Sequence, residues 1–76
     1  MEKLVLSCID GSRREFPLSD ISYVETGTAL YVLGDMLCEE HGVSDSEPVL
    51  CIHFLTNFNR DRMFFVKSEG YVVTFE

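Results

Sequence analysis

The sequence predicts a single small α+β domain over residues 1–76: an antiparallel β-sheet in the order β-β-α-β-β-β with one helix packed on it. Three observations carry this. Apolar-rich stretches bounded by turn signals recur at 3–9, 12–16, 49–56, 62–67 and 71–75, as strands do. One stretch, 28–41, instead spaces its apolar residues at helical intervals. The chain has 76 residues, enough for one thin core that buries about 60% of the unfolded surface.

Each element follows from local chemistry. Lys3 to Ile9 is apolar on both faces, so the strand must be covered on both sides. Asp10-Gly11 is a favoured pair for the positive φ angles of a tight hairpin. Ser12 to Phe16 returns as the second strand, with Arg14 and Phe16 on one face, and Pro17 ends it because it has no ladder donor. Leu18 to Thr26 is ambiguous: Tyr23–Thr26 reads as extended, whereas Ser19-Asp20 could cap a helical turn. At 100° per residue, Leu30, Leu33, Leu37 and His41 fall on one arc, which predicts a helix over 29–41. Thr28 is its N-cap, and Gly42 before Val43 is a Schellman stop. Gly34 lies inside that helix at a cost of about 1 kcal/mol relative to Ala, which suggests close backbone packing. A competing reading pairs Tyr23–Thr26 with Ala29–Leu33 as a hairpin. Val43–Pro48 is a polar connector. In the following strand Leu50, Ile52 and Phe54 share one face, and Val49, Cys51, His53 and Leu55 the other. Residues 57–61 form a turn. Ser68-Glu69-Gly70 joins the last two strands as a hairpin whose Phe64, Phe65, Tyr71 and Phe75 make both faces apolar. One face is expected under the helix and the other against a second copy, since chains of this size often need such help.

Charge excludes several functions. The net charge is −7, and residues 15–59 hold no Lys or Arg but eight acids. Nucleic-acid affinity comes largely from Lys and Arg displacing counterions, so direct nucleic-acid binding and docking on an anionic lipid surface are not expected. The longest apolar run, Ala29–Leu33, has five residues against the roughly 20 that a membrane span needs. Three cysteines, an odd number without repeated spacing, and no visible signal peptide together point to a reducing cytoplasm. No cofactor motif is visible. The acidity serves either solubility alone or a basic protein partner.

Two groups of side chains could carry function. Cys38 and His41 share a helix face and Cys51 and His53 a strand face, so the four could converge as a tetrahedral zinc set or supply a Cys–His nucleophile pair. Their C-x2-H-x9-C-x-H spacing matches no established finger. The second group is the acidic helix and its exit loop: Asp35, Glu39, Glu40, Asp45 and Glu47, with Val32 and Met36 as apolar anchors outside the packing arc. Apolar residues ringed by acids resemble an interaction stripe. Glu39 and Glu40 also oppose the dipole of the helix end, a local conflict that a partner could relieve.

The run Phe16-Pro-Leu-Ser-Asp-Ile-Ser-Tyr-Val-Glu-Thr26, followed by Leu30-Tyr-Val32, resembles the opening strands of LytTR-type DNA-binding domains. The resemblance implies DNA contact, but it stops at residue 32. That family's later helix and basic contact segment have no counterpart here, and the acidic 15–59 stretch opposes groove binding. The expected function is therefore a non-enzymatic acidic module that occludes a basic surface of a protein partner. An inhibitor, an immunity-type or phage-type antagonist, or a DNA mimic would act in this way. The alternatives are a zinc- or thiol-dependent module and a structural homo-oligomeric subunit.

Overall fold

The computed structural model describes residues 1–55 and 61–76. Its elements are strands β1 (Lys3–Ser7), β2 (Arg13–Pro17) and β3 (Ile21–Thr28), helices α1 (Ala29–Leu33) and α2 (Asp35–His41), and strands β4 (Pro48–Phe54), β5 (Arg62–Val66) and β6 (Val72–Phe75). Short 3-10 turns at Leu18–Asp20 and Lys67–Glu69 carry the chain from one sheet to the other. The α+β class and the antiparallel pairing are as the sequence predicts. The single continuous sheet is not: the strands form two three-stranded sheets, β2-β1-β6 and β3-β4-β5. The ambiguous segment after Pro17 supplies the additional strand, β3. The expected turn at 57–61 lies outside the described residues except for Asp61.

Each sheet is organised around its most apolar strand. Leu4, Val5 and Leu6 of β1 are fully buried, and so are Cys51 and Ile52 of β4. Strand alternation sends the two faces of β4 and β5 into different cores. Leu50, Ile52 and Phe65 join Leu4, Leu6 and Tyr71, with Phe16, Phe54, Met63 and Val73 packed around them, in a cluster shared by both sheets. Val49 and Cys51 join Ala29, Val32, Leu33 and Cys38, with Phe64 and Val66 alongside, in a second cluster between β4–β5 and the helices. Val5 points away from the first cluster yet has no exposed surface. Its cross-strand neighbours are Glu15 and Thr74. On the same face Lys3 pairs with Glu15, and Arg13 bridges Glu15 (3.6 Å) and Glu76 (3.2 Å). The aliphatic stems of such charged side chains shelter an apolar residue while their heads stay wet.

The first hairpin closes through Ile9-Asp10-Gly11. Cys8 N–H donates to the Ser12 carbonyl (2.9 Å), and Gly11 N–H to the Cys8 carbonyl (3.0 Å). This is a three-residue loop that ends in a positive-φ glycine. Asp10 Oδ1 accepts from both the Ser12 N–H (2.9 Å) and its hydroxyl (2.7 Å). Those bonds hold its carboxyl below the ordinary value of 3.8.

The expected helix over 29–41 is two helices. Thr28 caps the first, its hydroxyl accepting the Tyr31 N–H (3.4 Å). Two more orphan donors are met by the exit loop: Ala29 N–H reaches the Glu47 carbonyl (2.7 Å) and Leu30 N–H the Asp45 carbonyl (3.0 Å). The break is at Gly34, at φ 88° and ψ 164°, a backbone region essentially reserved for glycine. The competing hairpin of Tyr23–Thr26 with Ala29–Leu33 does not form, because β3 pairs with β4 instead. α2 ends as the sequence predicts. Gly42 is left-handed at φ 65°, with its N–H to the Glu39 carbonyl (3.3 Å) and the Val43 N–H to the Cys38 carbonyl (2.9 Å). Those two bonds and the apolar pairing of Val43 with Cys38 in one cluster define the Schellman stop.

The expected C-terminal hairpin is also corrected. β5 pairs with β4 and β6 pairs with β1, so the two strands lie in different sheets. Phe64 is covered by the helix-side cluster and Phe65 and Tyr71 by the inter-sheet cluster. Phe65 and Tyr71 are thus buried within the chain and Phe64 partly so, while Val72 and Phe75 stay exposed.

Candidate functional site

The four Cys and His residues do not gather, and no group of three or more metal-ligating side chains occurs among the described residues. Cys38 and Cys51 are buried in the helix-side cluster as free thiols. Burial pushes both thiols up. Asp45 and Asp35 add to the effect at Cys38; at Cys51 Arg62 opposes it and Glu25 adds to it. A thiol held protonated is a poor nucleophile and a poor ligand. The histidines are engaged elsewhere. His41 sets its ring edge-on to Phe64 at 5.1 Å. His53 Nε2–H donates to Glu25 Oε1 (3.1 Å) while its ring stacks on Tyr23 at 4.1 Å. This Tyr23–Glu25–His53 group was missed in the sequence, because only the β3–β4 register brings residues so distant along the chain onto one face. The burial has a direct test by alkylation at neutral pH. Cys8, the partly exposed thiol, should react first. Cys38 and Cys51 should lag by at least about a hundredfold, since they wait for opening of the fold, and denaturant should equalise the three. Similar rates in the native protein would contradict the packing described.

Of the seven residues expected to form the acidic interaction stripe, five are exposed, Glu47 is partly buried and Val32 is buried. Asp35, Met36, Glu39 and Glu40 of α2 are exposed, Met36 at 80%, and Asp45 is exposed in the loop. Val32 is not an anchor. It is only 6% exposed and sits in the helix-side cluster, because α1 turns Ala29, Val32 and Leu33 inward. Tyr31, 79% exposed, and the half-exposed Leu30 stand outward instead. A single continuous helix assigns the faces wrongly, and the glycine at 34 was the available sign that the helical phase is reset. Glu47 is partly committed within the chain: its Oε1 accepts the Ser68 N–H (3.0 Å) and ties the exit loop to the turn after β5.

The bases are disposed elsewhere. Lys3 and Arg13 are paired on the outer face of the β2-β1-β6 sheet. Arg14 lies over the Phe16 and Phe65 rings at 5.8 and 5.6 Å, and Lys67 over the Tyr71 ring at 5.4 Å. Arg62 lies across from His53. Among the described residues, Asp35, Glu39, Glu40 and Asp45 have no ion-pair partner. Beside the end of α2 runs a groove of about 360 Å³, lined by His41, Val43, Glu47, Phe64, Val66 and Glu69. The carboxylates in that groove are Glu47 and Glu69, its exposed lining is mostly polar, and Asp35, Glu39, Glu40 and Asp45 lie outside it.

Comparison with protein families, curated proteins and solved structures gives no match. No helix among the described residues is long and apolar enough to cross a membrane.

Proposed function

We propose that this chain is a non-enzymatic protein-binding module, acting in the cytoplasm, that occludes a basic surface of a partner protein. The observation that supports this reading best is the separation of charge. Lys3, Arg13 and Arg14 are engaged on the β2-β1-β6 sheet and Lys67 over Tyr71, while α2 and its exit loop present Asp35, Glu39, Glu40 and Asp45 without ion-pair partners among the described residues. Such a face attracts a basic partner during approach and fixes its orientation. Met36, with Tyr31 and Leu30 on α1, provides the apolar contact that charge alone lacks. An inhibitor or antagonist of a nucleic-acid-binding protein would use this same face as a mimic of a phosphate backbone.

The test is affinity capture from the native cell extract at about 50 mM and then about 500 mM salt, because exposed charges are screened over a few ångströms in strong salt. A partner held at low salt should be released at high salt. Replacing Glu39→Lys together with Glu40→Lys should weaken its capture at low salt by tenfold or more, on the order of the rate gain that electrostatic steering supplies. The fold should be unaffected, since both side chains are exposed. Unchanged capture by the double variant would remove α2 from the binding surface.

A further inference from the structure

We propose that the free edge of β5, bordering the groove beside the end of α2, accepts an extended basic peptide as a fourth strand of the β3-β4-β5 sheet. The proposal rests on the reading of the chain as a binder of basic proteins, and it names the kind of segment bound. Among the described residues β5 is hydrogen-bonded to β4 alone. Phe54 N–H donates to the Asp61 carbonyl (3.0 Å), so these opposed residues form a hydrogen-bonded pair. Antiparallel pairs alternate, which makes Ile52/Met63 and Leu50/Phe65 the next bonded pairs. Arg62, Phe64 and Val66 therefore aim their backbone N–H and C=O groups away from β4, along the outer edge.

The groove follows that edge. Phe64 and Val66 line one side of it, His41 and Val43 the other, and Glu47 and Glu69 lie at the end nearest Ser68. A second depression continues past Phe64 to Arg62, between β5 and Leu37. Sheet edges in folded proteins are usually protected by proline, lysine, a bulge or a covering element. β5 has no proline or lysine of its own, carries Arg62 at its start and is followed by Lys67, which lies over the Tyr71 ring, and its pairing with β4 shows no irregularity. Strand addition of this kind draws affinity from main-chain bonds and specificity from pockets for alternate side chains.

Charge selects the occupant. Pairing β5 with β5 of a second copy would bring together two chains of net charge −7, with one base per β5, Arg62, to set against the Glu47 and Glu69 of the other. A basic segment reverses the sign of that interaction. An antiparallel guest runs from the Ser68 end toward Arg62, so its Lys or Arg residues belong near its own N-terminus, against Glu47 and Glu69. Apolar residues at alternate positions then face Phe64 and Val66.

The probe is the peptide Lys-Lys-Val-Ser-Val-Ser-Val, with its Glu-Glu counterpart as control, added at up to about 1 mM, the weak end of specific association. Binding of the basic peptide should slow amide hydrogen exchange of Phe64 and Val66 by about tenfold or more, with smaller effects at Phe65, whose amide already faces β4. The Val66→Pro variant removes one outward donor and leaves the ladder bonds intact. Val66 already sits at φ −91°, near the proline range. It should weaken the peptide at least about fivefold through the lost bond and the ring. If Val66→Pro does not fold, Glu69→Lys and the exchange measurement on the natural chain decide the matter. Equal protection by both peptides, shifts confined to Asp35, Met36 and Glu39, or no binding at the highest concentration would each overturn the proposal. Partner capture that is sensitive to the Glu39 and Glu40 reversals but indifferent to Val66→Pro would leave the proposed function standing while this groove falls.

Discussion

Ile52→Ala should destabilise the fold by about 2–5 kcal/mol, the usual cost of truncating a buried aliphatic side chain and leaving its cavity. Ile52 has no exposed surface, and it stands on the central strand of its sheet within the cluster that joins the two sheets. Neighbours on that cluster come from β1, β2, β5 and β6 as well as β4, so collapse around the lost atoms would have to move several strands together. At about 0.05–0.15 kcal/mol per residue, a chain of this length has some 4–11 kcal/mol in all. The variant should therefore show a much lower urea midpoint with an unchanged m-value. A loss below about 1 kcal/mol would mean that the inter-sheet core is far looser than the burial indicates.

Gly34→Ala should also destabilise, by about 1–3 kcal/mol, and here the sign carries the information. A Cβ at Gly34 would meet no atom within 4 Å, so crowding contributes nothing. The cost is that of forcing an L-residue into a backbone region it scarcely visits. In an unbroken helix over 29–41 the same substitution would stabilise by about 1 kcal/mol, because alanine is the better helix former. Urea denaturation with far-ultraviolet circular dichroism separates the two. Lower stability supports a break between α1 and α2. Higher stability with a gain in helical signal would establish a continuous helix and restore the outward position first expected for Val32.

The sequence was most legible where the determining chemistry is local. Thr28 as a cap, the Schellman stop at Gly42–Val43 and the loop around Asp10-Gly11 each depend on residues a few positions apart. Face assignments in β4 were equally readable, since a period of two fixes Leu50, Ile52 and Phe54 against Val49, Cys51 and His53. Pairing partners were not. Alternation in β5 and β6 says that both faces need cover but not which strand lies beside them. The short connection suggested a hairpin, whereas each strand completes a different sheet. The site shows the same division. The exposure of Asp35, Met36, Glu39 and Glu40 survives a change of helical phase because α2 keeps its own register to the Gly42 stop. Val32, Leu30 and Tyr31 lie before Gly34, so their faces depend on a backbone angle that periodicity does not encode. The contact of His53 with Glu25 and Tyr23 depends on strand register, again a property of the assembled sheet.

The pairing of β1 with β6 fixes the order in which the molecule can be completed. During synthesis the β1–β2 hairpin emerges early, with Leu4, Val5 and Leu6 on a strand whose second neighbour is still unmade. Only when Val72–Phe75 arrives does Leu4 meet Phe75 and Leu6 meet Val73. Until then one side of the most buried strand is an unpaired template, open to the last strand of another copy as readily as to its own. The nascent chain is thus open to mispairing at β1 until Val72–Phe75 is made, and β6, a strand of four residues, ends that exposure.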